Sequence, residues 1–257
     1  MKASIKAELR KLFTVRSTYI LLGLAFLYML FYDFYVVGIK KGHSGGLIGP
    51  QNPRYLISEV SRAASIAAPV LFSSIIAVLL MAHEYRYNTI MYTLTASNNR
   101  NKTLLAKIIA VSGFSLIFSL FVEVLAPTLA LIGLHIQHGV LVHQVFYYRE
   151  FFWRVLFFGW GYAMIGLLLA IFFRNVVASI VSLFLIPVTI EPLLGLILSS
   201  NQQQYLPFTA LTAVLNNGLF KNGTSQLSAG HSAIVVLVYL AVGWAIGWVL
   251  FLRRDAN

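Results

Sequence analysis

The 257-residue chain has no cysteine, which excludes disulfides, thiolate metal sites and cysteine nucleophiles. Charge is scarce: only 11% of residues are Asp, Glu, Lys or Arg, and eight acidic residues face nineteen basic ones. A soluble domain carries about 25% charged residues, so too little polar surface exists here to cover a water-soluble globule. Several catalytic signatures are also missing. There is no Gly-x-x-x-x-Gly-Lys-[Ser/Thr] phosphate loop, so the chain does not bind ATP in that manner by itself. His83-Glu84 lacks the second histidine of a zinc-protease helix.

What is abundant is apolar: 59% of the residues are hydrophobic and the mean hydropathy is +0.80. A hydrocarbon core about 30 Å thick needs about 20 apolar residues per helix. Six segments qualify: Thr18–Ile39, Ser65–Met81, Ile108–Leu134, Trp153–Phe173, Val176–Leu198 and Ala233–Leu252. The expectation is an all-α integral membrane protein with six transmembrane helices. Only Arg174 and Asn175 separate the fourth and fifth segments, so a hairpin is required there.

The net charge of +11 suits an anionic membrane surface, because the basic residues sit at the ends of apolar segments and form no long run. That placement argues against nucleic acid. With a cytoplasmic N-terminus, the inner side receives Lys2, Lys6, Arg10, Lys11, Arg16, Arg86, Arg100, Lys102, Lys107, Arg174, Arg253 and Arg254. The outer side receives Lys40, Lys41, Arg54, Arg62, Arg149, Arg154 and Lys221. The Lys/Arg excess favours both termini inside. Lys40–Ala64, His135–Phe152 and Ser199–Ser232 then form outer loops.

Residues 1–16 form a separate element. Ile5, Leu9, Leu12 and Phe13 share one face at helical spacing, and Lys2, Lys6, Arg10 and Lys11 occupy the rest. This is an amphipathic interfacial helix, either a plain topology anchor or a gating element. Residues 17–257 form the membrane domain. The polar stretches Asn201–Gln204 and Asn216–Gly218 read as turns.

Few groups inside the membrane segments offer chemistry. His135, His138 and His143 cluster beyond the third span, but without a carboxylate or thiol at ligand spacing they read as interfacial histidines, and no metal is expected. Glu123 and Glu191 lie deep in predicted spans. They serve either as polar lining of a substrate path or proton site, or as interhelical hydrogen bonds that fix packing. Pro187 and Pro192 flank Glu191 and break the helix locally.

Between the second and third spans, Tyr87, Ile90, Met91 and Leu94 recur at helical spacing, which predicts a short cytoplasmic helix with an apolar ridge for a partner's groove. This stretch resembles the signature of ABC-2-type transporter permeases. Glu84, Thr89, Arg100 and Lys107 stand at the matching positions; Asn88 replaces the usual glycine before the threonine, and asparagine tolerates left-handed backbone. Phe172-Phe-Arg-Asn175, Val188-Thr-Ile-Glu-Pro-Leu-Leu194 and Tyr205-Leu-Pro-Phe208 resemble later regions of bacterial members. The resemblance implies a six-span exporter subunit in a prokaryotic plasma membrane, paired with a second permease chain, identical or related. It also implies two separate ATPase subunits that supply ATP and Mg. A coupling helix would carry Glu84, Arg86, Tyr87, Thr89, Ile90, Met91, Leu94, Arg100 and Lys107. No enzymatic activity of this chain itself is implied. The alternatives are an intramembrane enzyme using Glu and His, or an ion-coupled carrier or channel; paired broken helices or inverted repeats that mark a carrier are not apparent.

Overall fold

The structure, a computed structural model, describes residues 2–40, 72–97, 99–136, 149–216 and 227–253. These residues are helical, with no strand among them. Helix α1 (Lys2–Thr14) ends where the β-branched Val15 turns extended, and α2 (Arg16–Met29) follows at once. It runs on into a π-helical segment, Leu30–Lys40. Next come α3 (Ser74–Arg86), the short α4 (Ile90–Ser97) and the long α5 (Arg100–Ile136). Then follow α6 (Arg149–Phe173), α7 (Val176–Leu185), a π turn at Ile186–Ile190, and α8 (Glu191–Ile197). The chain closes with α9 (Ser200–Gln203), α10 (Pro207–Asn216) and α11 (Ala229–Arg253).

Five of these stretches are long and apolar enough to cross a membrane: Arg16–Tyr35, Arg100–Ala130, Phe152–Phe173, Val176–Ile197 and Ala229–Arg253. The predicted second segment, Ser65–Met81, begins outside the described residues, and α3 is its described part. Most of the loops Lys40–Ala64 and His135–Phe152 also lie outside them.

α6 is the central element. It packs against α3, α5, α7, α10 and α11, and Phe158, Ala163, Leu167 and Ile171 are fully enclosed. Small residues let its neighbours approach. A Cβ added at Gly166 would stand 2.9 Å from the backbone oxygen of Ser74, so α3 and α6 touch nearly backbone to backbone. In contrast, α2, α7 and α11 leave large apolar side chains such as Ile20, Val181 and Val242 exposed, as a hydrocarbon surround requires.

The two-residue hairpin falls at Arg174 and Asn175. Arg174 adopts a left-handed φ of 52°. The Asn175 side chain accepts hydrogen bonds from the Val177 and Ala178 amides at 2.9 and 3.1 Å, capping α7. Ser179 then donates to the Leu169 carbonyl at 3.4 Å, holding α7 against α6. The prolines act as their chemistry dictates: the fifth apolar stretch changes to π-helical pitch at Pro187.

The region expected as an outer loop, Ser199–Ser232, contains a helix that polarity obscured. In α10, Phe208, Ala210, Leu211, Val214 and Leu215 are buried, packed on α6 and α11. The expected polar turn at Asn201–Gln204 is instead mostly the short helix α9, and Asn216–Gly218 lies mostly outside the described residues; after α9 the chain folds back into the bundle.

Contacts gather one set of helix ends together. Arg100 donates to the Leu252 carbonyl at 2.9 Å, and Trp248 to the Asn101 side chain at 3.0 Å, joining the start of α5 to the end of α11. Arg174 stacks over the Tyr85 ring at 5.1 Å, joining the α6–α7 hairpin to the end of α3. Arg86, Arg100, Arg174 and Arg253 therefore lie at the same end of the bundle.

Candidate functional site

At that end, four charged side chains from three helices close on one another. α1 supplies Glu8 and Lys11, α3 supplies Glu84, and α5 supplies Lys107. The Lys107 ammonium is 0% exposed and donates to Glu8 Oε2 at 2.9 Å and Glu84 Oε1 at 2.8 Å. Its third direction meets the Leu80 carbonyl at 3.5 Å. Lys11 donates to Glu8 Oε1 at 2.9 Å, to Glu84 Oε1 at 2.6 Å and to the Thr93 hydroxyl of α4 at 3.3 Å. Two carboxylates and two ammoniums make a neutral set, and both lysines direct their three protons at acceptors. Such pairing is what allows charge to be buried at all.

The ionisation follows the geometry. Burial pushes the Glu84 carboxyl up, but the Lys107 and Lys11 ammoniums outweigh it and hold Glu84 below its ordinary value. Burial likewise lowers Lys11, but hydrogen bonds and the charges of Glu84 and Glu8 outweigh that and raise it. His83, outside the cluster, is held down by its own burial and by Arg86. Among the described residues one atom of the cluster is unsatisfied: Glu84 Oε2 is buried without a hydrogen-bond partner.

The cluster lies under the α3–α4 turn. α3 ends with the Tyr87 amide bonded to the His83 carbonyl at 2.9 Å, and Asn88 takes a left-handed φ of 52°. This is the conformation in which asparagine substitutes for glycine. α4 then packs on α5 and meets Lys11 of α1 through Thr93. Arg86, Tyr87, Thr89 and Met91 are exposed, as is Tyr92. Ile90 faces inward at 2% exposure, and Glu84 and Lys107 are enclosed. Arg100 is spent on capping α11. The outward ridge is therefore Tyr87, Met91 and Tyr92, while Glu84, Ile90 and Lys107 form its foundation. The helix includes Leu94, whose side chain lies outside the described residues.

Two members of the cluster escaped the sequence. By spacing alone Lys11 belongs with Lys2, Lys6 and Arg10 off the apolar face, and Glu8 draws no role. The signal for Glu8 was present: it is the sole acid of α1 and shares the stripe of Ile5, Leu9 and Leu12. An acid on the apolar face of a basic helix marks an inward ion pair.

Glu191 is buried and satisfied. Its Oε1 accepts from the Phe208 amide at 2.7 Å, and its Oε2 from the Thr209 amide and hydroxyl, each at 2.7 Å. The carboxylate thus caps the first turn of α10, where orphan amides and the helix dipole favour negative charge. Gln203 completes the corner by donating to the Gly195 and Leu198 carbonyls at 2.6 and 2.9 Å.

Glu123 stands partly exposed on α5. Pro127, one turn on, removes the backbone bond to the Glu123 carbonyl. A third intramembrane carboxylate, passed over in the sequence, is Asp33 in the first span. It is fully buried, and among the described residues neither oxygen has a hydrogen-bond partner. His135 is exposed at the end of α5; His138 and His143 lie outside the described residues. Among the described residues no group of three metal-ligating side chains occurs.

A family model described as "Protein of unknown function (DUF2705)" matches residues 48–256. None of the curated proteins matches the chain.

Proposed function

The chain belongs to the DUF2705 family, and we propose that it serves as the membrane-spanning permease subunit of an ABC-2-type transporter, acting as an exporter. In this reading Ser65–Met81 completes a sixth span, both termini are cytoplasmic, and the protein resides in a prokaryotic plasma membrane. A second permease chain, identical or related, completes the path, and two copies of a separate ATPase subunit provide ATP and Mg.

The observation that carries the reading is α4. It is a short helix at one end of an apolar bundle, with Met91 and Tyr92, and Tyr87 in the turn before it, turned outward. Thr93 ties it to Lys11, and so to α1, α3 and α5 through the charge cluster. A partner pressing on this ridge moves a helix whose base is fixed to two membrane-penetrating helices and to the interfacial one. That is the mechanical requirement of a coupling helix. The same end gathers Arg86, Arg100, Arg174 and Arg253, which supports a cytoplasmic setting by charge asymmetry. Glu84, Ile90 and Lys107 then transmit force, while Arg86, Tyr87, Thr89 and Met91 meet the ATPase.

The test is a photo-crosslinker at Tyr92, followed by purification in mild detergent and identification of the adducts. An ATPase subunit is the expected capture. Capture of lipid alone, with no ATPase co-purifying, overturns the reading.

A further inference from the structure

We propose that a recess between α1, α2 and α5 is a binding site for an anionic phospholipid, which lays an acyl chain in the recess and its headgroup against Lys2, Lys6 and Arg10. The recess has a volume of about 700 Å³ and is lined by Ile5, Leu9 and Phe13 of α1, Phe26 of α2, and Ile109 and Phe114 of α5. This is within the range of ligand sites, about 300–1,000 Å³. Its walls are apolar, so a chain rather than a headgroup fills it. Open space stands beside two glycines of its lining: a methyl built on Gly23 or Gly113 meets no heavy atom of the described residues within 4 Å.

The charge beside it selects the headgroup. Lys2, Lys6 and Arg10 each stand three residues before a recess residue, Ile5, Leu9 and Phe13, and so border the stripe on the helix surface. All three are exposed. Glu8, the one acid of α1, is turned inward and held by Lys11 and Lys107, so it does not offset them. Each cation near an anionic surface adds to attraction for phosphate-bearing lipid. The same positive charge disfavours a second copy of this chain, whose net charge is +11. The inference does not rest on the transporter reading; it needs only α1 at a membrane face.

The full-length protein in detergent, titrated with phosphatidylglycerol or phosphatidylcholine of identical chains and read by native mass spectrometry, tests the site. The wild type is expected to retain phosphatidylglycerol at roughly tenfold lower concentration or better. The triple variant Lys2→Gln, Lys6→Gln, Arg10→Gln, all at exposed positions, is expected to lose that preference. Gly113→Leu fills the recess and is expected to lose retention of both lipids while keeping the thermal midpoint. Equal retention of the two lipids by the wild type overturns the proposal. So does undiminished phosphatidylglycerol binding in Gly113→Leu, or a protein dimer in place of the lipid adduct.

Discussion

Lys107 and Glu84, on separate helices and 23 residues apart, form a 2.8 Å ion pair in which the lysine is fully enclosed. The pair is one edge of a neutral four-membered cluster, so its value to the fold lies in completeness. Glu84→Gln leaves Lys107 and Lys11 with one carboxylate between them. The expected cost is about 3 kcal/mol of stability, the scale for an uncompensated buried charge. Chemical unfolding in detergent measures it, and the double variant with Lys107→Met should lose less than the sum of the two single changes. Strict additivity would show that the two groups do not interact.

Stability should depend on pH at both ends. Glu84 titrates below its ordinary 4.5 in the folded protein. Its contribution is fully present above that value and is lost as pH falls through the folded pKa. Lys11 titrates above its ordinary 10.5. Its contribution is present below that value and is lost as pH rises through its folded pKa. Thermal midpoints should therefore fall at the acid and the alkaline extremes, and Glu84→Gln should flatten the acid limb. An unchanged acid limb in that variant would contradict the cluster's role.

Glu191 caps α10, and its variants should separate on that basis. Glu191→Gln keeps one acceptor oxygen for the α10 amides and should cost about 1 kcal/mol, whereas Glu191→Leu removes every acceptor and should cost more. Limited proteolysis around Pro207 reports loosening of the corner. If the Leu variant is as resistant as the parent, the cap is dispensable. Transport that falls in the Gln variant while the corner stays intact would instead assign Glu191 to the substrate path.

Gly166 and Gly113 are both helical glycines and should respond oppositely. A methyl at Gly166 meets the Ser74 carbonyl oxygen at 2.9 Å, a backbone atom that cannot swing away. Gly166→Ala should force α3 from α6 and lower the thermal midpoint. Gly113→Ala meets nothing within 4 Å and should be neutral or stabilising by up to about 1 kcal/mol. The comparison reads helix contact against helix propensity in one assay.

Asp33 should respond as an unsatisfied buried group. Replacing its two oxygens, unpartnered among the described residues, with the apolar side chain of Asp33→Leu should raise stability by about 1–3 kcal/mol. A loss would mean that the carboxylate has a partner in the membrane.

Local chemistry made part of this architecture legible. Arg174-Asn175 had to be a hairpin because the flanking apolar run is two membranes long, and Asn175 then caps the second helix. Asn88 could be read as glycine-like, and its left-handed φ agrees. What stayed hidden depends on contacts distant in sequence. Glu8 looks like a stray acid until Lys107, 99 residues on, is beside it. α10 looks like loop because polar turns flank it and its cap, Glu191, is 17 residues upstream. Asp33 sits in an apolar run whose average hydropathy conceals one carboxylate.

The four-membered cluster also sets an order of events during synthesis. Glu8 and Lys11 leave the ribosome first, and Glu84 arrives much later. Until Lys107 follows, two carboxylates share a single ammonium, leaving one excess negative charge at a site that becomes closed to water. α1 packs chiefly on α5, so its docking surface is absent for the same interval. α1 therefore cannot take its final seat until about a hundred further residues have been made, and its seating reports that α5 is in place.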